Sequence, residues 1–338
     1  MTIAIPDNRV LTVVAKDGGG FESAGLVVAP AGNYVIQGTG FGSRPSVTPT
    51  FDDFESESVG AVGETVGNLS VSFEPGMSIV DSGSYSGTKC LSHDFSVNDF
   101  PKLYRALSGA QRKGYMSQYV KVTGSNSAST VYKYGRVGAG ATYSGNPKFG
   151  ESYTSSSLVP ESFGGEVVTS NGIVGFGANA DYLAPDPSVI YTPDVWHFYE
   201  LEWDAGTVGN GNSFFEARCD DIVAVRFVGI EFLTAANSNL PDWVLTFING
   251  FDQGPNVTAL LDNVYVDESR ARVVMTDSAV YANATKWAPQ PITAYSDTEV
   301  TCQPKRQGFG IGDTAYLHLF DNSGSLVSSG SSLTVEAD

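Results

Sequence analysis

What most narrows the folds open to this chain is the rhythm of its apolar residues. Short runs recur from end to end in which apolar and polar residues alternate or apolar residues cluster briefly: RVLTVVAK, NYVIQG, NLSVSFEP, YMSQYVKVTG, STVYKYGRVG, WHFYELEWD, SFFEARCDD, IVAVRFVGIEFL, DWVLTFING, ALLDNVYVD, TAYLHLFD and SLTVEA. A period of two sends successive side chains to opposite faces of an extended chain, and Gly, Asn, Asp, Ser or Pro punctuate the gaps. With 38 Gly, 16 Tyr and 19 Phe in 338 residues, the composition suits strands joined by tight turns. The expected fold class is therefore all-β, one large sandwich plus a smaller one. Only FPKLYRALSGAQRKG, residues 100–114, hints at a helical turn. Residues 135–165, rich in Gly and Ser, read as long loops or irregular edge strands.

A formal net charge of −18 repels nucleic-acid phosphates and anionic lipids, so neither nucleic acid nor a membrane is an expected partner. No run approaches the ~18 apolar residues of a membrane span. The opening MTIAIPDNRVLTVVAKDGGG lacks a positive n-region and a long apolar stretch, which predicts synthesis in the cytoplasm without a signal peptide. Cys90, Cys219 and Cys302 are odd in number and far apart, without metal-type spacing, and read as small buried residues. His93, His197 and His318 fall in separate elements and lack the spacing of a metal pair. No G-x-S-x-G elbow or phosphate loop is present.

The strand Tyr34–Gln37 cannot bury its own apolar face, and it runs into a glycine-rich corner, GTGFG, Gly38 to Gly42. The missing partners lie at the other end of the chain. There, strand-like segments Ile292 to Ala294, Glu299 to Cys302, Thr314 to Phe320 and Ser332 to Val335 follow one another, with a YSDT turn and a DNSG turn among them. The GTGFG corner, YSDTEV at Tyr295 to Val300 and the Asp321 to Gly324 hairpin together resemble the IPT/TIG-type immunoglobulin-like domain. The resemblance implies a split domain, residues 1–48 and 275–338, with a second domain, residues 49–274, inserted in it.

The inserted segment opens with FDDFES, continues through SGSYSGTKCLSHDF, WHFYELEWDAG and FFEARCDDIVAV, and closes with LLDNVYVDESRARV. That order resembles concanavalin A-like (laminin G-like) jelly rolls. In the carbohydrate-binding members an opening Glu and a closing Asp hold a structural calcium, and Glu55 and Asp262 match them, so the resemblance implies Ca²⁺ as a possible bound ion and no other cofactor. Sandwich lectins stack sugars on aromatic rings, and Trp243, Tyr143, Tyr153 and Tyr182 are the candidates here. The segment ELEWD places Glu200, Glu202 and Asp204 on one strand face, close to the acidic signature of family 16 glycoside hydrolases. That alternative would make them catalytic; the reading preferred from sequence sets Tyr199, Leu201 and Trp203 in the core and leaves the carboxylates in water.

An acidic, cysteine-poor chain that joins an immunoglobulin-like module to a jelly roll resembles surface proteins of tailed bacteriophage virions: capsid decoration proteins, head fibres or tail-associated adhesins. The resemblance implies a non-enzymatic structural protein on the virion surface. Its partners would be capsid or tail proteins, copies of itself and host cell-surface glycans. The alternatives are a bacterial carbohydrate-binding module and a family-16-like glycoside hydrolase.

Overall fold

The computed structural model describes residues 3–4, 10–16, 20–27, 33–45, 48–72, 76–95, 102–107, 113–124, 131–139, 148–155, 161–169, 172–174, 190–191, 194–231, 243–247, 249–251 and 257–335. Among them every regular element is a β-strand except one 3₁₀ turn, Tyr281–Asn283. The chain divides into two compact units, Met1–Phe51 with Tyr265–Asp338, and Asp52–Val264.

The smaller unit is an immunoglobulin-like sandwich of two five-stranded sheets. One sheet runs, in order, Ile3–Ala4, Leu326–Thr334, Thr314–Phe320, Arg272–Thr276 and Trp287–Gln290. The other runs Ile292–Tyr295, Glu299–Cys302, Tyr34–Gln37, Val10–Lys16 and Gly20–Val27. Both sheets are completed by strands from opposite ends of the chain. Tyr34–Gln37 pairs antiparallel with Glu299–Cys302, Ile36 opposite Val300, and Ile3 pairs in parallel with Leu333. The apolar face of the lone strand is thereby covered: Tyr34, Ile36, Val300, Cys302, Val273, Leu317 and Leu319 share one buried core.

The two motifs that flagged this unit are halves of one joint. Gly40 and Gly42 take φ of +79° and +77°, a backbone that glycine adopts without strain. The corner so formed presents the Phe41 N–H to the Asp297 carbonyl (3.1 Å) and the Gly42 N–H to Asp297 Oδ1 (2.9 Å). The Tyr295 hydroxyl donates to the Phe41 carbonyl, and the Phe41 ring is buried in the core. Beyond the corner, Arg44 Nη2 donates to both oxygens of Asp267, at 2.8 Å each, and both side chains are almost fully buried. The unit claims the chain from Tyr265 onward, earlier than the sequence boundary at Met275, because Arg272–Thr276 ladders with Thr314–Phe320.

The larger unit is a jelly-roll sandwich of two antiparallel sheets. Its nine-stranded sheet runs Ile222–Ile230, Ser213–Cys219, His197–Asp204, Lys113–Gly124, Val257–Asp267, Cys90–Asp94, Met77–Val80 and Gly60–Ala61, with Thr50–Asp52 also on Val257–Asp267. Its ten-stranded sheet runs Gly172–Val174, Glu161–Thr169, Lys148–Ser155, Val131–Ala139, Trp243–Thr246, Lys102–Leu107, Leu69–Ser72 and Thr65–Val66, with Ile190–Tyr191 and Asn249–Phe251 beside it. The sheets meet where a Cβ on Gly135 would lie 3.1 Å from both Leu201 Cδ2 and the Tyr199 hydroxyl. Tyr199, Leu201, Trp203, Phe215 and Ala217 are all fully buried on that side.

One local expectation is corrected and one is narrowed. The helical hint at 100–114 gives way to the strand Lys102–Leu107, which pairs with Trp243–Thr246 and Leu69–Ser72; ladder partners on both sides outweigh the helix propensity of Leu, Lys, Arg and Ala. In the 135–165 stretch the described residues take the second of the two readings, irregular strand, and not the loop. Val131–Ala139, Lys148–Ser155 and Glu161–Thr169 pair in sequence, with register shifts at Lys133/Gly135 and Val137/Gly138.

Candidate functional site

The nine-stranded sheet has a second face, turned away from Gly135, and its chemistry is different. Alternation on His197–Asp204 puts Phe198, Glu200, Glu202 and Asp204 on that face, opposite in direction to Tyr199, Leu201 and Trp203. Cross-strand register then fixes the rows. Tyr115, Glu202, Glu216 and Arg226 lie side by side across four strands; Ser117, Glu200 and Arg218 form the next row; Tyr119 pairs with Phe198 in the row after. The result is a strip about 20 Å long at ~3.4 Å per residue from 198 to 204.

At its centre the Tyr115 hydroxyl donates to Glu200 Oε1 at 2.6 Å. Glu216 sits between Arg226, whose Nε reaches Oε2, and Arg218, whose guanidinium reaches Oε1. At one end the Tyr85 ring stacks on Tyr119, centroids 3.5 Å apart and 13° from parallel, with the two hydroxyls 3.0 Å apart. Trp196 meets Tyr85 edge-on at 6.0 Å, and Lys121 Nζ lies 5.2 Å over the Trp196 ring.

The carboxylates of this strip are not in water. Glu200 is 2% exposed, Glu202 5% and Glu216 1%. The period-two pattern told the two faces apart, but it carried no information about what covers the second one. Buried carboxylates are costly unless hydrogen-bonded or paired, and Tyr115, Arg218 and Arg226 supply partners here. Asp204 is half-buried at the strand end, its Oδ1 taken by the Gly206 N–H at 2.9 Å.

The two carboxylates matched to a calcium site converge on one loop. Asp262 Oδ2 accepts the N–H groups of Tyr85 and Ser86, both at 2.9 Å, and Oδ1 that of Asn263 at 2.7 Å. Glu55 Oε1 accepts the N–H groups of Thr88 and Lys89 at 2.7 Å, and Oε2 the Thr88 hydroxyl at 2.8 Å. Burial pushes Asp262 up to about 7 against the pull of its N–H donors. For Glu55, burial acts upward but the donors of Lys89 and Thr88 prevail and hold it below the ordinary carboxylate value. Both carboxylates thus bind backbone N–H groups of residues 85–89. Of the proposed sugar-stacking aromatics, Tyr143 and Tyr182 lie outside the described residues. Tyr153 pairs with Lys133 and Gly164, and Trp243 with Leu107 and Ala139, each within the ten-stranded sheet.

One constellation was not visible in the sequence. His197, Cys219 and Asp220 offer one ligand atom each, all within 4.8 Å of one another. They stand in different elements, and only the ladder between His197–Asp204 and Ser213–Cys219, with Tyr199 opposite Cys219, brings them together. The signal that could have found them is that hairpin register.

No family model matches the chain, and no curated protein matches it in sequence. Solved structures do match in fold. A mutant of the alginate lyase Aly36B in complex with alginate trisaccharide superposes with a TM-score of 0.50 at 12% identity, over 65% of this chain and 97% of that one. The marine PL-14 alginate lyase from Aplysia kurodai gives 0.42 at 11% identity, over 62% and 97%. An endo-β-1,4-glucuronan lyase from the fungus Trichoderma reesei gives 0.42 at 10%, over 64% and 94%. The expectation of a non-enzymatic chain is corrected on this finding: the fold built here is a jelly roll on which carbohydrate-active enzymes are built, nearly the whole of an alginate lyase being covered.

Proposed function

We propose that the 52–264 unit binds a polysaccharide chain along the polar and aromatic strip of its nine-stranded sheet and cleaves it. Glu200 and Tyr115 are the proton-transfer groups of this reading, Glu202 the neighbouring acid, and Tyr85, Tyr119 and Trp196 the ring platform at the end of the strip. The observation that carries it is the 2.6 Å Tyr115–Glu200 hydrogen bond at the middle of the strip. A phenol and a carboxylate in contact can pass a proton between them, and both elimination and hydrolysis of a glycosidic bond need such an acid and base. The fold shared with an alginate lyase supports the class of substrate. So does the cost of the arrangement, since carboxylates on a buried sheet face are expensive to desolvate.

The test is depolymerisation of a polyuronate and of neutral β-glucans by the full chain, followed by new reducing ends and by ultraviolet absorbance. Elimination leaves a conjugated double bond that absorbs; hydrolysis does not. Cleavage of either kind that disappears in Glu200→Gln and in Tyr115→Phe supports the reading, and the absorbance assigns the chemistry. Undiminished cleavage in both variants, or none by the wild type across the panel, contradicts it. The split unit is proposed as the module that attaches the protein to a phage particle, on the resemblance of an acidic chain joining an immunoglobulin-like module to a jelly roll to virion surface proteins; failure to co-sediment with particles would remove that part.

A further inference from the structure

His197, Cys219 and Asp220 lie at the edge of the nine-stranded sheet, on and beside the hairpin CDDI, and take no part in the strip. We propose that these three residues form a binding site for a divalent transition metal of the zinc class. An imidazole, a thiol and a carboxylate are the donor set such ions select, whereas calcium and magnesium take oxygen ligands. Zinc bonds of about 2.0–2.3 Å set tetrahedral ligand atoms about 3.3–3.8 Å apart. The three ligand atoms here lie within 4.8 Å of one another, close to that span.

The surroundings are preorganised. The Asp220 N–H donates to the Phe198 carbonyl at 2.8 Å, and Asp220 Oδ1 accepts the Phe198 N–H at 2.8 Å. Its other oxygen, Oδ2, lies 2.7 Å from His197 Nδ1. Cys219 is held opposite Tyr199 by the ladder. The hairpin turn keeps Asp220 at φ +51°, a position that Asp ordinarily fills in a two-residue turn, and Asp221 at +63°, where glycine is the usual residue. His197 and Cys219 are buried, while the Asp220 side chain is 40% exposed. Water can therefore complete the fourth position from the Asp220 side. Binding forms a sulfur–metal bond and releases the Cys219 thiol proton to the buffer.

The full chain, stripped with a chelator, is titrated with Co²⁺. One equivalent is expected to bring up the near-ultraviolet thiolate-to-cobalt charge-transfer band, and Zn²⁺ is expected to bleach it. Cys219→Ser removes the band and Cys90→Ser keeps it. Should Cys219→Ser fail to fold, Asp220→Asn carries the test from the exposed side: Zn²⁺ affinity, measured by competition with a chromogenic chelator, falls at least tenfold. Absence of the band at one equivalent, its survival in Cys219→Ser, or unchanged Zn²⁺ affinity in Asp220→Asn overturns the proposal.

Discussion

The two units bury charge in opposite ways. In the smaller one the Asp267 carboxylate takes Arg44 Nη2 on both oxygens and the Tyr265 hydroxyl on Oδ2 at 3.0 Å, while the buried Glu268 and Arg272 belong to no such strip. The Arg44–Asp267 pair ties the segment after the GTGFG corner to the chain's return at residue 267. In the larger unit three glutamates, two arginines and a tyrosine crowd one sheet face in consecutive rows. One pair is enough to fasten a corner. A whole strip is more than fastening requires. On the proposed function, mutations in the two places should fail differently.

The widest separation is expected in activity. Glu200→Gln or Tyr115→Phe should lower polysaccharide cleavage per folded molecule by roughly 10²–10⁴-fold, the range of a lost acid or base. Arg44→Ala should do the reverse, leaving turnover per folded molecule intact while destabilising the smaller unit by about 3–5 kcal/mol, because Asp267 is left buried without its partner. Replacing both, Arg44→Met with Asp267→Leu, should recover most of that loss in urea unfolding. Equal loss of activity and stability at both places would dissolve the distinction.

How far these regions were legible in the sequence follows from which contacts are local. The strands His197–Asp204 and Ser213–Cys219 could be read from their own alternation. So could the partnership of Tyr34–Gln37 with Glu299–Cys302, because the corner and the YSDT turn are two halves of one hydrogen-bonded joint and each keeps a recognisable local form. Three things could not. Lys102–Leu107 carries helix-favouring residues and becomes a strand only through its partners. The burial of Glu200 and Glu202 depends on what lies over the face rather than on the strand itself. The meeting of His197 with Cys219 and Asp220 needs the register of a hairpin whose turn, CDDI, lacks the expected glycine.

Acidity offers a finer contrast. Burial pushes Asp262 up to about 7 and Asp267 to about 6, each from an ordinary value of 3.8; for Asp267 the Arg44 charge opposes the shift. Each folded carboxyl therefore holds its proton more tightly than the unfolded chain does. The stability this contributes is fully present below about pH 4 and is lost as the pH rises through about 6 for Asp267 and about 7 for Asp262. Asp262→Asn should flatten the larger unit's share of that slope, on the order of a few kcal/mol between pH 4 and 8, as measured by urea unfolding of wild type and variant side by side. An unchanged slope would mean that the N–H donors around Asp262 outweigh its burial.

The smallest expected effect probes the corner. A methyl group on Gly42 meets no atom within 4 Å, so Gly42→Ala isolates the cost of its φ of +77°. About 1–2 kcal/mol should be lost from the smaller unit alone, seen as a lower melting temperature with cleavage unaffected.

The central claim is that the strip bearing Tyr115, Glu200 and Glu202 receives the polysaccharide. A crystal structure of the Glu200→Gln variant soaked with an oligosaccharide of the preferred substrate addresses it most directly. The account predicts sugar rings lying along the rows from Trp196 and Tyr85 toward Tyr115, with a glycosidic oxygen near the Tyr115 hydroxyl. An oligosaccharide seated on the ten-stranded sheet or on the split unit, with the strip left bare, would contradict it.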